Sequence, residues 1–172
     1  KDYSGNENHA KTHNIIWSSD GVVGGAYYFY GTSAVKAYEK EYSLGGDGTW
    51  DEITVELWVR ATQTTGTERL VRKEGLSRDD DPGYQLDFRA RGSYNQYTWY
   101  ILTEDETYSI YRYESSDDPY GWHHLVGTYK SGEGLKMYLD GVLVDESPGS
   151  GNILATNGPL TIGYGSGGGD FV

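Results

Sequence analysis

The strict alternation of aliphatic residues between positions 53 and 60 constrains the fold most. Every second residue there is aliphatic: Ile53, Val55, Leu57 and Val59. Successive side chains of a β-strand point to opposite faces, so a period of two buries one face and exposes the other. A helix would need apolar residues at i, i+3 and i+4, and no long run of that kind occurs. The segment therefore predicts a half-buried strand of an antiparallel sheet.

The clearest hairpin lies at residues 135–144, where two alternating runs flank Asp140 and Gly141. A two-residue type I′ turn needs positive φ at both central positions, which Asp-Gly adopts readily. Similar runs, bounded by Gly, Asp, Asn and Ser, recur along the chain. We predict further strands at residues 26–29, 70–73, 84–90, 97–102, 108–113, 123–129 and 160–163. The pattern predicts an all-β sandwich or barrel.

Composition supports this interpretation and excludes several classes of protein. The 172 residues include 17 Tyr and 25 Gly, which suit pleated surfaces and turns respectively. Cys is absent, so disulfides and thiolate metal sites are excluded. A net charge of -12 argues against nucleic acid and anionic membrane surfaces as partners. No apolar run approaches the roughly 20 residues that span a bilayer.

Six segments carry motifs that run in chain order: DYSGNENHA at 2–10, GGAYYFYG at 24–31, ITVELWVR at 53–60, GWHHLVGTY at 121–129, LKMYLDGVLV at 135–144 and PLTIG at 159–163. They resemble LamG-like domains of the concanavalin A-like lectin/glucanase superfamily. The resemblance implies an antiparallel two-sheet jelly-roll sandwich, with residues 1–172 as one domain. Family members have a further strand at each end, and Ala10 and Tyr30 replace a family Gly and Asp. We therefore expect a piece of a larger extracellular or cell-surface protein.

The opening loop is a candidate calcium site. Ca²⁺ prefers several oxygen ligands from carboxylates, amides and carbonyls. In related domains this loop contributes to a structural calcium site near the end of the chain, which implies four ligands here: Asp2, Asn6, Asn8 and Asp170. The alternative is that the Asp and Asn side chains form Asx-turns without a metal.

The polar sides of the predicted strands form a candidate glycan-binding face. The predicted site comprises Glu56, Trp58, Arg60, Gln85, Asp87, Arg89, His124 and Tyr138. Aromatic rings stack on the C–H face of a pyranose, and the planar polar groups hydrogen-bond to its hydroxyls. The alternative is a cross-strand network of ion pairs and packed rings without a ligand. A rival binding surface would use a second aromatic set: Tyr94, Tyr97, Trp99, Tyr111 and Tyr113.

Catalysis has little support in the sequence. Glucanases of the superfamily carry carboxylates at i, i+2 and i+4 of one strand, but here Thr54 replaces the middle one between Glu52 and Glu56. His123 and His124 are adjacent and face opposite sides of a strand, which does not suit a shared metal.

We therefore predict a non-catalytic, carbohydrate-binding module of a secreted or cell-surface protein, with a glycan or surface polysaccharide as its partner. The alternative is a structural or protein-interaction module, in which the same face or an open sheet edge contacts another protein or strands of the parent chain. A glycoside hydrolase is the third and weakest hypothesis.

Overall fold

A computed structural model describes residues 7–37, 50–60, 65–75, 82–91, 94–115, 120–154, 156 and 158–163. These residues form strands, turns and bends, without a helix. The strands are β1 (Ala10–His13), β2 (Ile16–Ser18), β3 (Ala26–Tyr28), β4 (Ala34–Ala37), β5 (Glu52–Val59), β6 (Thr65–Lys73), β7 (Tyr84–Arg91), β8 (Tyr94–Leu102), β9 (Thr107–Ser115), β10 (His123–Lys130), β11 (Gly134–Leu139), β12 (Val142–Ser147) and β13 (Leu160–Ile162).

Two antiparallel sheets form the sandwich. The seven-stranded sheet has the order β1-β4-β13-β6-β7-β8-β9, and the four-stranded sheet has the order β12-β11-β10-β5. A small third sheet pairs β2 with β3. Every paired strand runs antiparallel to its neighbour, so the predicted all-β sandwich is confirmed.

The core lies between the two large sheets and contains alternate residues of both. The seven-stranded sheet contributes Leu70, Leu86, Phe88, Trp99 and Ile101, and the four-stranded sheet contributes Leu125, Tyr129, Leu135 and Met137. Ile53, Val55 and Leu57 of β5 pack against this cluster, as their period of two predicts. The side of each sheet that points away from the core is called its outer face below.

Trp99 is the largest of the fully buried side chains. Its ring lies against Gly127 of β10, where a Cβ atom would stand 2.5 Å from Cδ2 of the indole. Its Nε1–H donates a hydrogen bond of 2.9 Å to the backbone oxygen of Thr128. A single residue of the seven-stranded sheet therefore fixes the distance to the four-stranded sheet and satisfies its own polar group.

This packing corrects the rival aromatic surface. Tyr97 and Trp99 are 1% and 0% exposed, so neither can contact a ligand. Successive side chains of β8 point to opposite faces, so Tyr97 and Trp99 point into the core while their neighbours point outward. Tyr94 and Tyr111 remain exposed, and the side chain of Tyr113 lies outside the described part of the structure.

The predicted Asp140-Gly141 turn is confirmed. Asp140 and Gly141 have φ values of 51° and 81°, as a type I′ turn requires. The Asp140 side chain also accepts hydrogen bonds of 2.8 Å from the His124 backbone N–H and from His123 Nδ1, on the neighbouring strand β10. The turn is thereby attached to the strand that carries His124.

Gly127→Val should lower the free energy of unfolding by roughly 1–3 kcal/mol, because the new side chain overlaps the Trp99 ring and overpacks the core. Urea unfolding followed by tryptophan fluorescence measures the change. Thr54→Val on the exposed face of β5 is the control, since it exchanges one β-branched side chain for another without core contact and should change stability little. A Gly127→Val variant as stable as the wild type would contradict this account of sheet packing.

Candidate functional site

The predicted glycan-binding residues divide between the two outer faces. Glu56, Trp58, His124 and Tyr138 lie on the outer face of the four-stranded sheet, with Arg60 just beyond the end of β5. Gln85, Asp87 and Arg89 lie on β7 opposite to the core residues Leu86 and Phe88, on the outer face of the seven-stranded sheet. The two groups point in opposite directions. The prediction of one shared face is therefore corrected: alternation fixes the side of a strand, but not the sheet that the strand joins.

An aromatic platform, which we define as Trp58, His124 and Tyr138, lies on the outer face of the four-stranded sheet. Trp58 and His124 are paired across β5 and β10, and their rings stack with centroids 5.0 Å apart and planes 26° apart. Tyr138 follows on β11, where it pairs with Val126. Trp58 remains 46% exposed, so the stack fixes its ring while leaving much of it open to solvent.

Charged groups hold the platform in place. His124 Nε2 lies 3.5 Å from Glu56 Oε2, on the same face. Asp140 accepts from His123 and from the His124 backbone. Burial opposes ionisation of Asp140, but these hydrogen bonds outweigh it and lower the pKa of the carboxyl group. Asp140 therefore remains a carboxylate that anchors the strand carrying His124.

An apolar groove of about 360 Å³ adjoins Trp58. Trp122 and Leu57 line one side of it, and Val22 and Val23, between β2 and β3, line the other. At the end of β5, Arg60 lies 4.9 Å above the Trp122 ring and forms a 2.8 Å ion pair with Asp20. These contacts join the β2–β3 hairpin to the platform.

The outer face of the seven-stranded sheet carries a polar chain. Arg72 Nε donates to Glu74 Oε2 at 2.7 Å, and Arg72 Nη1 donates to Gln85 Oε1. Gln85 Nε2 in turn donates to Asp87 Oδ2. Asp87 Oδ1 is buried without a hydrogen-bond partner. The chain orders these side chains but leaves one carboxylate oxygen of Asp87 unsatisfied.

Among the residues that the structure describes, Asp87 has the most strongly shifted pKa. Burial raises the pKa of its carboxyl group to about 7, although the Gln85 hydrogen bond and the charges of Arg69, Arg72 and Arg89 act in the opposite direction. The desolvation cost of a buried carboxylate therefore exceeds the stabilisation that three guanidinium groups supply. The Asp87 carboxyl group therefore changes its protonation state near neutral pH.

Of the predicted calcium ligands, Asp2, Asn6 and Asp170 lie outside the described residues, and Asn8 precedes β1. Within the described ranges, no three His, Asp or Glu side chains come close enough to hold a metal ion. The calcium site therefore stays a prediction.

The carboxylates of β5 do not converge on one cleft. Glu52 lines a groove together with Glu133, whose carboxylate oxygens lie 3.1 Å from Lys130 Nζ and 4.0 Å from Lys136 Nζ. Glu56 is not part of this groove and instead faces His124. Glu52 lies opposite Lys130 in the strand register, whereas Glu56 neighbours His124, so the two carboxylates do not frame one glycosidic bond as a nucleophile and acid pair would.

Sequence reasoning missed Arg69, Arg72 and Trp122 as site residues. Trp122 lies in a motif that the sequence shows, but its place in the same groove as Trp58 depends on the β5–β10 pairing. Arg69 and Arg72 flank a bulge in β6, between Arg69 and Val71, which places both beside β7 on the same face. A bulge of one residue leaves no clear signal in an alternation pattern.

The two-sheet antiparallel sandwich, with its polar outer faces, is the architecture of a lectin-like domain. The family model of the concanavalin A-like lectin/glucanases superfamily matches residues 31–172, and the chain belongs to this superfamily. No curated protein matches the sequence. No helix of the described part is long and apolar enough to cross a membrane.

Solved structures of clostridial toxin domains share the fold. The binding domain of Paraclostridial Mosquitocidal Protein 1 is 14% identical with a TM-score of 0.76, over 99% of this chain and 44% of that one. The Botulinum Neurotoxin serotype G binding domain is 13% identical with a TM-score of 0.70, over 97% and 42%. The binding domain of Botulinum neurotoxin DC, in complex with rat synaptotagmin II, is 10% identical with a TM-score of 0.64, over 96% and 42%. The chain thus spans less than half the length of these structures, and the similarity establishes the fold.

Asp87→Asn should flatten the dependence of stability on pH. The folded-state pKa lies above the unfolded value, so the stability that the protonated carboxyl contributes is complete below about pH 4 and is lost as pH rises through 7. Thermal and urea unfolding between about pH 5 and pH 8 should show the wild type losing roughly 1–3 kcal/mol from this group. The variant should lack this loss and exceed the wild type at pH 8.

The exposed carboxyl of Asp51 supplies the control, and Asp51→Asn should leave the pH profile of the wild type unchanged. Equal profiles for Asp87→Asn and the wild type would show that the Asp87 carboxyl is well solvated.

Proposed function

We propose that this domain is a non-catalytic carbohydrate-binding module of a secreted or cell-surface protein, with the aromatic platform as its ligand surface. The observation that carries the proposal is the exposure of Trp58 while its ring is fixed by His124. A large aromatic side chain that is both exposed and ordered costs little entropy on binding. Its exposed face suits the apolar C–H face of a pyranose.

Polar groups beside the platform supply hydrogen bonds to sugar hydroxyls. The Glu56 carboxylate is exposed next to His124, and Tyr138 lies one strand further along the same face. Lys136 lies two residues before Tyr138 and widens the polar margin. A central apolar ring with polar groups at its margin is the usual composition of a small-ligand site.

The structural relatives support a recognition role. A Botulinum Neurotoxin DC binding domain was solved in complex with SialylT, and a structure of type C concerns entry through two ganglioside molecules. Those ligands belong to those proteins, which are more than twice as long as this chain. They support a proposal of glycan binding by the shared fold, and they favour recognition over hydrolysis.

Protein binding is the second candidate function. The groove beside Trp58 is apolar, and Val23 and Trp17 on the neighbouring hairpin are 85% and 64% exposed. Exposed apolar clusters with a polar rim mark interaction sites in general. The DC binding domain bound to synaptotagmin II shows that a protein of this fold also has a protein partner. Under this alternative the hairpin, rather than the platform, would be the ligand surface.

Trp58→Ala should abolish binding on an array of neutral glycans, or weaken it at least about tenfold, because the stacking surface is lost. Binding to the sugar that the wild type selects is then measured by isothermal titration calorimetry. Tyr111→Ala is the matched control, since Tyr111 is 50% exposed on the opposite face and should not affect this ligand.

Three outcomes separate the hypotheses. Loss of binding in Trp58→Ala alone supports the platform. Equal loss in both variants would indicate a different surface. A wild type that binds no glycan, with or without calcium, would overturn the lectin proposal and favour the hairpin as a protein-binding surface.

A further inference from the structure

Cationic residues are concentrated on the outer face of the seven-stranded sheet. The chain has 14 Lys and Arg against 26 Asp and Glu. Five of those cations lie on this face and are called the cationic face: Lys11, Lys36, Arg69, Arg72 and Arg89. Two carboxyl groups accompany these cations: that of Asp87, and that of Glu74, which forms an ion pair with the buried Arg72. A strongly acidic protein thus has one surface of the opposite sign.

The strand register aligns these cations in a track. Lys11 pairs with Lys36, Lys36 with Thr161, and Thr161 with Arg72, so one row crosses four strands. Neighbouring strands lie about 4.8 Å apart, which gives the row a length of about 14 Å. Arg69 pairs with Asp87 in the next row, and Arg89 follows two residues further along β7. The track is long enough to contact several units of a polymer.

Two polar atoms within the track are buried without partners. Thr161 is 2% exposed, and its Oγ1 lies in the row between Lys36 and Arg72 without a hydrogen bond. Asp87 Oδ1 is the second such atom. Buried polar groups in folded proteins almost always have partners, so two exceptions on one charged face point to a ligand or ordered water there.

We propose that the cationic face is a second binding site, separate from the aromatic platform, for an acidic polysaccharide that bears carboxylate or sulfate groups. The guanidinium groups of Arg69 and Arg89 bind the anionic groups, for which their planar donors are well suited. Gln85 and the exposed Tyr111 lie on the same face and supply a hydrogen-bonding group and a stacking surface for the sugar rings. The proposal does not depend on the function of Trp58.

The charge distribution favours a polysaccharide over a nucleic acid. Double-stranded DNA carries about one charge per 1.7 Å, and it would meet repulsion from the acidic remainder of a chain with net charge -12. An acidic polysaccharide has fewer charges for its length and many hydroxyl groups. Such a chain fits a narrow track in which the four exposed or half-buried cations, all except the buried Arg72, are interspersed with amide, hydroxyl and phenol groups.

Asp87 makes the site sensitive to pH. Arg69 and Arg72 face it from β6, Arg89 lies on its own strand, and β8 opposes it with Thr98. Burial raises the pKa of Asp87 to about 7, so a decrease from pH 8 to pH 6 neutralises this carboxylate, while the Glu74 carboxylate stays paired with Arg72. Binding of an anion should therefore become tighter over this range, and Asp87→Asn should give tight binding at both values.

The test uses the whole chain with heparin as a sulfated probe, polygalacturonate as a carboxylated probe, dextran as the neutral control and a single-stranded DNA oligonucleotide. Calorimetry at roughly 50 mM and 200 mM salt should show that at least one acidic polysaccharide binds and that its binding weakens as salt increases. Dextran should show no binding that depends on salt in this way. Arg69→Gln/Arg89→Gln should weaken binding about fivefold for each cation removed.

Matched variants keep the result interpretable. Lys130→Gln/Lys136→Gln removes two charges from the opposite face and should retain binding. Lys11→Glu changes the net charge by the same amount as Lys130→Gln/Lys136→Gln, but at an exposed end of the track. It should weaken binding even if the arginine pair proves necessary for folding. Trp58→Ala should retain polyanion binding, so failure of the platform proposal and failure of this one are distinguishable.

Several results would overturn the inference. These are the absence of binding to both acidic probes at low salt, tighter binding of the oligonucleotide than of either polysaccharide, or a loss of binding in Lys130→Gln/Lys136→Gln that equals the loss in Lys11→Glu.

Discussion

The contact between the Trp99 ring and Gly127 is the constraint on which the rest of the structure depends. Trp99 fills the space between the two large sheets, and the absence of a side chain at Gly127 permits its close approach. The indole N–H is satisfied by Thr128, so the largest core side chain leaves no unpaired donor. This packing holds one face of each sheet against the other sheet, and it therefore determines which residues point outward. Both candidate ligand surfaces depend on this arrangement.

The two outer faces differ in chemistry although they belong to one small sandwich. The four-stranded sheet presents ordered aromatic rings, with Glu56 and Glu52 among Lys130 and Lys136. The seven-stranded sheet presents mainly cations around the buried Asp87 carboxyl group. An aromatic surface suits the apolar face of a sugar ring, whereas a cationic track suits its acidic substituents. A module with both surfaces could hold a glycan polymer at two points, which raises effective affinity without any new contact.

Much of the fold followed from local patterns, whereas the grouping of the site did not. The alternation of β5 and the Asp140-Gly141 turn identify their elements because period and turn chemistry are local properties. The strands β1 and β4 have only four residues each and no distinctive alternation, so their existence depends on pairing with distant strands. The same dependence on distant strand pairing explains why the sequence places Asp87 and Glu56 on one face, although they lie on different sheets. Each was correctly assigned to the polar side of its strand, but sheet membership separates them.

The central claim is that the platform around Trp58 is the glycan-binding surface. Nuclear magnetic resonance titration of the labelled domain, with the glycan selected on an array, tests it most directly. The account predicts that the largest shift changes occur at the Trp58 indole N–H and at the backbone amides of β5, β10 and β11. Changes confined to the β2–β3 hairpin, or to β6–β8 with a neutral sugar, would contradict it.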